Sequence, residues 1–480
     1  MTLDEVLVKE ISSIVGEGNC STRIADLYTY GFDSSIHHHT PDIVVRPRTA
    51  AEISELVKLA SREGIAVVPR GGGTGLCGAA VPINGGMVMD LTRMNTIKEV
   101  RVNDLYCVAE AGVVYDRLNE ALAPHKFFFP PTPGSGEACT IGGMVATNAS
   151  GMRAVKYGAT RDYVLGLEVV LADGSMIHVG TNTIKNSSGY QLERLFVGSE
   201  GTLGIITEVI LKISPKAKKA AMVLAAFDRL EDAGKCVSNV ISVPLVPSAT
   251  ELMDDICIRA VNKAVGAGLP DVQAICMIEV DGEPEIVAKE LKVVEEVARR
   301  SGASSVQVSD DRKQMARWTS ARKSVMSALS RLGDQLVSVS LADDMAVPIS
   351  RIPEAVVAFH RIAEENQVIV GTYGHAADGN LHTKMLLDPC SEDSWKRGEK
   401  AVGQIFDAVI SLGGTVTGEH GVGISKAPYM MRERPDAWQT MLTIKMAMDP
   451  KGILNPGKLM QWKGGIIRDL RYPCRDLCSK

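Results

Sequence analysis

Apolar residues recur at helical spacing through 50–63 (AAEISELVKLASRE), which predicts an amphipathic helix there. Residues 65–70 (IAVVPR) read as a buried strand running into a glycine-rich turn. Met87 to Leu91 predicts a strand and Val113 to Leu122 a helix. Val164 to Leu171 predicts a further strand, closed by the Asp173-Gly174 turn. The alternation of short strands and helices continues to about residue 213, where Ser214-Pro215 and the lysine-rich KAKK of 216–219 mark a boundary. Beyond it the apolar runs MVLAAF (222–227) and AICMIEV (274–280) are separated by helical segments such as 284–300, a pattern that predicts a second α+β domain. No internal repeat, coiled coil or low-complexity stretch interrupts the series.

Composition narrows the class. A chain of 480 residues suits two or three domains of ordinary size. The formal net charge of −5 gives no electrostatic footprint for nucleic acid, so an anionic substrate has to be met by local positive groups. The 10 cysteines form no C-x-x-C pair and no run suited to an iron–sulfur cluster. Cys474 and Cys478 are read as reduced surface thiols. The N-terminal MTLDEVLVKE is acidic and amphipathic, unlike a signal peptide, and the longest apolar runs are too short to span a bilayer. The expectation is a soluble, cytoplasmic chain.

Residues 70–78 read RGGGTGLCG, and Gly73, Gly75 and Gly78 formally satisfy G-x-G-x-x-G after a strand. A nicotinamide-binding turn has to open a helix whose N-terminus faces the pyrophosphate. Here AAVPINGG follows and breaks a helix at once, and no acidic residue stands at the ribose position. The glycines can still let successive backbone N–H groups converge on an anion. Two more stretches share this small, uncharged character: PPTPGS of 130–135 continuing into ACTIGGMVATNASG of 138–151, and VGSEGTLGII of 197–206. Three glycine-rich segments in one domain point to a large, extended ligand.

RGGGTGLCGA, CTIGGMVATNASG and VGSEGTLGIIT resemble the FAD-binding segments of the vanillyl-alcohol oxidase superfamily, with the fuller match to its D-lactate dehydrogenase / glycolate oxidase branch. The resemblance covers roughly residues 40–460. It implies an α+β chain with a PCMH-type FAD-binding domain over 1–213, an α+β cap domain with the substrate and metal residues over 214–440, and a C-terminal segment, 441–480, returning to the FAD domain. In the first segment it assigns the cofactor to Arg70, Gly71, Gly72, Gly73, Thr74, Gly75, Leu76 and Gly78. The second contributes Pro131, Thr132, Thr140, Gly142, Gly143, Thr147, Asn148 and Gly151, the third Glu200, Gly204 and Ile206. Thr74 stands where a flavin-linking histidine often stands, so the FAD is expected to be non-covalent. Cys77, the nearest reactive side chain, is read as a small buried residue. Thr132 replaces a usual aspartate. Asn455, within DPKGILNPGK, is either a residue that returns to the flavin or a turn residue between glycine and proline.

Several of the nine histidines fall in two segments, YGHAADGNLH of 373–382 and GGTVTGEHGVG of 413–423. The turn residues Asp378-Gly379-Asn380 can fold the chain so that His375 and His382 face one point. Two histidines plus a carboxylate match a catalytic divalent site with open positions. The resemblance assigns His375, His382 and Glu419 as metal ligands and His420 as the base. Zinc is favoured for so nitrogen-rich a set, with manganese or iron(II) as the other options. The metal would polarise a substrate hydroxyl, His420 would take its proton, and hydride would pass to the flavin N5. Arg322, in RWTSARK, resembles the family's Trp-x-x-Arg with one extra residue of spacing and suits a bidentate carboxylate clamp. His37, His38 and His39 are read as a surface loop.

The resemblance therefore implies oxidation of a small D-2-hydroxy acid, D-lactate favoured, to the 2-keto acid. Nothing in the sequence stores or relays the electrons, so an acceptor protein is expected: an electron-transfer flavoprotein or an iron–sulfur subunit. Two alternatives stand beside this: a flavin oxidase using oxygen, with glycolate or D-2-hydroxyglutarate as substrate, and a non-catalytic electron-relay subunit. A homodimer is compatible with the sequence, and a location at the membrane would come through a partner.

Overall fold

The computed structural model describes residues 3–333 and 335–460. Cys474, Cys478 and the rest of 461–480 lie outside the described residues. Two compact units divide the chain: 3–150, Ala159–Lys216 and 419–460 form the first, Gly151–Gly158 and Ala217–Gly418 the second. The return to the first unit thus comes at Glu419, ahead of the expected 441, because the Glu-His-Gly loop is hydrogen-bonded to the glycine-rich segments. Residues 151–158 join the second unit because Arg153, Lys156 and Tyr157 bind Glu279 and Asp281 of its sheet.

The first unit holds two larger sheets and a two-stranded pairing of Phe127–Phe128 with Ser214–Pro215. Strands Cys20–Ser21, Ile43–Val45, Met87–Asp90 and Val67–Arg70 lie side by side in that order, with the last three parallel. Helix Ala50–Glu63 covers them by burying Ile53, Leu56, Val57 and Ala60, one stripe of its surface. The Thr49 side chain accepts from Glu52 N at its start and left-handed Gly64 closes its end. The second sheet is antiparallel, in the order Ile97–Arg101, Tyr106–Glu110, Ile205–Lys212, Val164–Val170, Met176–Gly180. Its core includes Phe129, Ile141, Val145 and Phe196.

The C-terminal part of this unit is stitched to the first sheet. Val67 N–H donates to Ile453 O (2.7 Å) and Asn455 N–H to Val67 O (2.8 Å), a strand-like addition at its edge. Buried Lys445, on helix Pro435–Met448, donates to Thr202 O (2.7 Å), Leu454 O (2.9 Å) and Asp449 Oδ2 (2.5 Å).

The second unit is one antiparallel sheet in the order Ser305–Ser309, Lys219–Phe227, Ala274–Gly282, Ala249–Asp254, Ile369–His375, Asn380–Leu387, Val337–Val339, with Met345–Ala346 also paired to Asn380–Leu387. Helices Leu230–Ser242, Pro284–Arg300 and Ile352–Glu365 pack apolar faces within this unit. Among the described residues no helix is long and apolar enough to cross a membrane.

Candidate active site

In the first unit the three glycine-rich segments converge. A Cβ on Gly71 would lie 2.1 Å from Thr140 Oγ1, and one on Gly72 2.1 Å from Ala138 O, so only glycine lets the first segment lie against the second. Arg70 donates from Nη1 to Phe32 O (2.7 Å), and Thr74, Gly75 and Leu76 are half-buried between the strand end and buried Gly78. Thr140 caps helix Ile141–Thr147, accepting from Gly143 N, and left-handed Asn148 ends it. Gly142 abuts Ala111, and Thr147 Oγ1 donates to Gly143 O. The third segment docks on the second through Gly198 N–H to Val145 O (3.0 Å) and Glu200 N–H to Ala146 O (2.8 Å). Asn455 Nδ2 donates to Ala79 O (2.9 Å) and Glu200 O (2.7 Å), tying the first segment to the third. This narrow backbone cradle fits an extended, phosphate-bearing ligand.

Some assigned residues differ from expectation. The Glu200 carboxylate is turned to the chain itself, accepting Val422 N–H (2.6 Å) and Gly423 N–H (2.8 Å). Burial pushes its pKa up to about 7 against these two donors. Gly204 abuts Val169 and Phe196 and Ile206 is buried in the core, so both support the segment from behind. Pro131 is buried, and Thr132 Oγ1 donates to Pro130 O (2.6 Å), a local closure in place of the usual aspartate's bonds. Gly151 belongs to the second unit. Cys77 is buried, as expected.

The Glu419-His420 loop sits on this cradle. Beyond Glu200, Cys77 O accepts Ile424 N–H (2.7 Å), and a Cβ on Gly423 would lie 2.1 Å from Cys77 O. Ser150 Oγ donates to Glu419 Oε2 (3.0 Å), and His420 Nε2 lies 3.6 Å from Glu419 Oε1.

His37 is buried rather than on a surface loop, its Nε2 2.7 Å from Ser425 Oγ, while His39 is exposed. Burial pulls the His37 pKa down to about 3. A depressed folded-state pKa gives stability that is complete above the unfolded value of 6.5 and lost as pH falls toward 3. His37→Gln is therefore expected to lose less thermal stability than the wild type between pH 6.5 and 3. Parallel melting curves over that range test it, and equal losses would remove His37 from the acid response.

In the second unit, adjacent strands bring His375 and His382 together, ring centroids 5.3 Å apart and edge to face. His375 Nδ1 lies 2.6 Å from Glu251 Oε1, and His382 Nδ1 stands 3.2 Å from Asp343 Oδ1. The first is a hydrogen bond that favours the proton on Nδ1 and the lone pair on Nε2, the ligand form of a histidine, while the second is a charge contact only. Asp344 presents a carboxylate oxygen within 4.8 Å of a His382 nitrogen, and His375 does not complete a set of three with them at that distance. Arg322, expected to face substrate, is ion-paired with Glu251 and lies 4.6 Å over the Tyr373 ring. Burial raises the Glu251 carboxyl, and Arg322 and His375 outweigh it, holding the group below its ordinary range. Lys384, itself buried, pairs with Asp343. The other acidic–histidine group of this unit, Asp254, Asp255 and His360, has a structural account: Asp254 caps helix Asp255–Val265 and accepts Thr372 N–H (2.6 Å).

Glu251, Asp343, Asp344 and Lys384 escaped the sequence reading. The signal was present as one or two charges inside otherwise apolar runs, ATELMD, SLADDMAV and NLHTKMLL.

Residues 216–459 match the family model for the C-terminal domain of FAD linked oxidases, and residues 41–180 match that for an FAD binding domain. The chain belongs to the FAD-linked oxidase family. This FAD-linked oxidase is 38% identical over 454 residues to a glycolate oxidase subunit of Bacillus subtilis, covering 94% of this chain and 96% of that one. It is 37% identical over 423 residues to a D-lactate dehydrogenase of Archaeoglobus fulgidus, covering 87% and 91%. Among solved structures, p-cresol methylhydroxylase superposes with a TM-score of 0.76 at 16% identity, covering 95% of this chain and 96% of that one, a likeness of fold. The FAD-linked oxidase thus has the PCMH-type α+β fold expected from its glycine segments, and it is an FAD-dependent oxidoreductase.

Proposed function

We propose that this FAD-linked oxidase oxidises a small D-2-hydroxy acid, D-lactate favoured, to its 2-keto acid, using FAD held without a covalent link. The observation that carries the reading is the pair His375 and His382, each with a carboxylate beside Nδ1, in a chain similar to a glycolate oxidase subunit and a D-lactate dehydrogenase.

The three glycine-rich segments and Asn455 hold the dinucleotide in this reading. His375, His382 and Glu419 bind a divalent ion, zinc favoured over manganese or iron(II). Bound FAD supplies the two-electron acceptor, and the ion supplies a Lewis acid. The other steps fall to side chains. Arg322 receives the substrate carboxylate while Glu251 holds its Nε edge. His420 takes the hydroxyl proton as general base, from a loop fixed to Glu200 and Cys77 by backbone bonds. The electrons leave to an acceptor protein, an electron-transfer flavoprotein or an iron–sulfur subunit, since no cysteine run here suits a cluster.

The test is an anaerobic bleaching screen of the purified yellow protein with D- and L-lactate, glycolate, D-2-hydroxyglutarate and longer 2-hydroxy acids. D-lactate is expected to bleach the flavin fastest, and acid precipitation to leave the yellow colour in the supernatant. A flavin bleached by none of these acids would end the reading.

A further inference from the structure

His375 and His382 each have a carboxylate beside Nδ1 and a cation behind that carboxylate, with a hydrogen bond at His375 and a charge contact at His382. On one side Arg322 pairs with Glu251, and Glu251 approaches His375 Nδ1. On the other Lys384 pairs with Asp343, and Asp343 approaches His382 Nδ1. The members of the second set are almost fully enclosed: side-chain exposure is 1% for Lys384, 2% for Asp343 and 5% for His382. The Lys384 ammonium also reaches Ser340 Oγ.

Such burial is costly for a lysine, whose long stem usually carries its charge to water. A sheet needs no ion at this place: Leu381, Met385, Leu386 and Leu387 of the same strand are ordinary apolar core. Well-packed apolar residues stabilise a core as well as a buried ion pair or better, so stability alone does not call for this one. What the pair does locally is place a carboxylate 3.2 Å from a ring nitrogen. An ionised carboxylate has only lone pairs to offer, so at this range it is attracted to Nδ1–H and repelled by an Nδ1 lone pair. The contact is one of charge rather than a directed hydrogen bond, and it biases His382 toward the form with its proton on Nδ1. A ligating histidine requires the same control, and loss of a carboxylate behind one typically weakens metal binding by about 10–100-fold.

We propose that Asp343 and Lys384 are positioning residues for His382, Asp343 by biasing the ring proton toward Nδ1 and Lys384 by holding Asp343, so that Nε2 is presented to a divalent cation. The inference rests on the reading of His382 as a ligand.

The experiment uses the full-length FAD-loaded protein, stripped with a chelator and titrated with Zn²⁺ against a colorimetric zinc indicator. FAD content and melting temperature are recorded in parallel. Asp343→Asn combined with Lys384→Met removes both charges of the pair, so neither is left without the other. This variant is expected to keep its FAD and bind zinc about 10–100-fold more weakly than the wild type. Wild-type zinc affinity in a folded, FAD-loaded double variant would overturn the positioning role and leave the metal reading standing. A wild-type protein that takes up no zinc, manganese or iron(II) would overturn both. Should the double variant not fold, Asp343→Glu keeps the charge and shifts the carboxylate by one methylene. It is then expected to weaken zinc with FAD retained, and unchanged affinity in it would overturn the role equally. A merely structural pair would lower the melting temperature and leave zinc affinity in the folded fraction unmoved.

Discussion

His420→Asn is expected to slow reduction of the bound flavin by D-lactate roughly 10²–10⁴-fold, the usual share of a positioned general base. The substitution bears on the proton transfer because backbone hydrogen bonds hold the course of the loop. Val422 and Gly423 hold the loop to Glu200 through their N–H groups, and Ile424 holds it to Cys77 O. Asparagine keeps a polar side chain of moderate size and has no basic nitrogen at neutral pH. The loop should therefore stay in place while the proton acceptor is lost. Anaerobic stopped-flow is the measurement, with the substrate dependence of the observed rate giving apparent binding. Binding should change far less than the limiting rate. A limiting rate within a few-fold of the wild type would assign the base elsewhere.

The second large effect is on stability. Lys445→Met is expected to destabilise the first unit by about 3–5 kcal/mol, the usual cost of removing one member of a buried ion pair. The ammonium donates to two carbonyls and to Asp449, and Asp449 also accepts Ile453 N–H (3.1 Å) and Leu454 N–H (2.8 Å). Burial lowers the Lys445 pKa and Asp449 opposes it, which is the electrostatic sign of a charge kept in the core by its partner. Methionine fills the volume of the stem and leaves Asp449 charged and two carbonyls short of a donor. Denaturant unfolding followed by flavin fluorescence should show an early loss of FAD. Lys445→Met/Asp449→Asn should regain part of the loss because the lone charge is gone. An unchanged unfolding midpoint in the single variant would contradict the clamp.

Helices 50–63 and 284–300 were legible to the residue. Each is a long amphipathic stripe with a punctuated end, Thr49 and Gly64 for the first and Pro284 at the opening of the second. Shorter elements were blurred by pairing that no local pattern records. The strand read from Met222 begins at Lys219, because Lys219 and Ala220 still pair with Gly282 and Asp281. The helix read from Val113 begins at Tyr115, because Val113 O is taken by Ile141 N–H. The site divides along the same line. His375 and His382 were legible because only the four residues Ala376 to Gly379 separate their strands. Their carboxylates were not, because sheet register brings them in from afar: Glu251 sits directly across from His375, 124 positions earlier in the chain. Arg322 was singled out by resemblance, and its ion pair with Glu251 was invisible for the same reason.

The discontinuity of the first unit sets an order of events during synthesis. A chain emerging from the ribosome ordinarily completes its N-terminal domain first. Here the edge of strand Val67–Arg70 waits for Ile453 and Asn455, and the link between the first and third glycine segments waits for the Asn455 amide. All the described residues of the second unit, by contrast, have been made once Gly418 emerges. The later unit in sequence is thus the earlier one to be finished. Until Ile453 and Asn455 are made, the edge of strand Val67–Arg70 stands as an open template in need of protection from other chains.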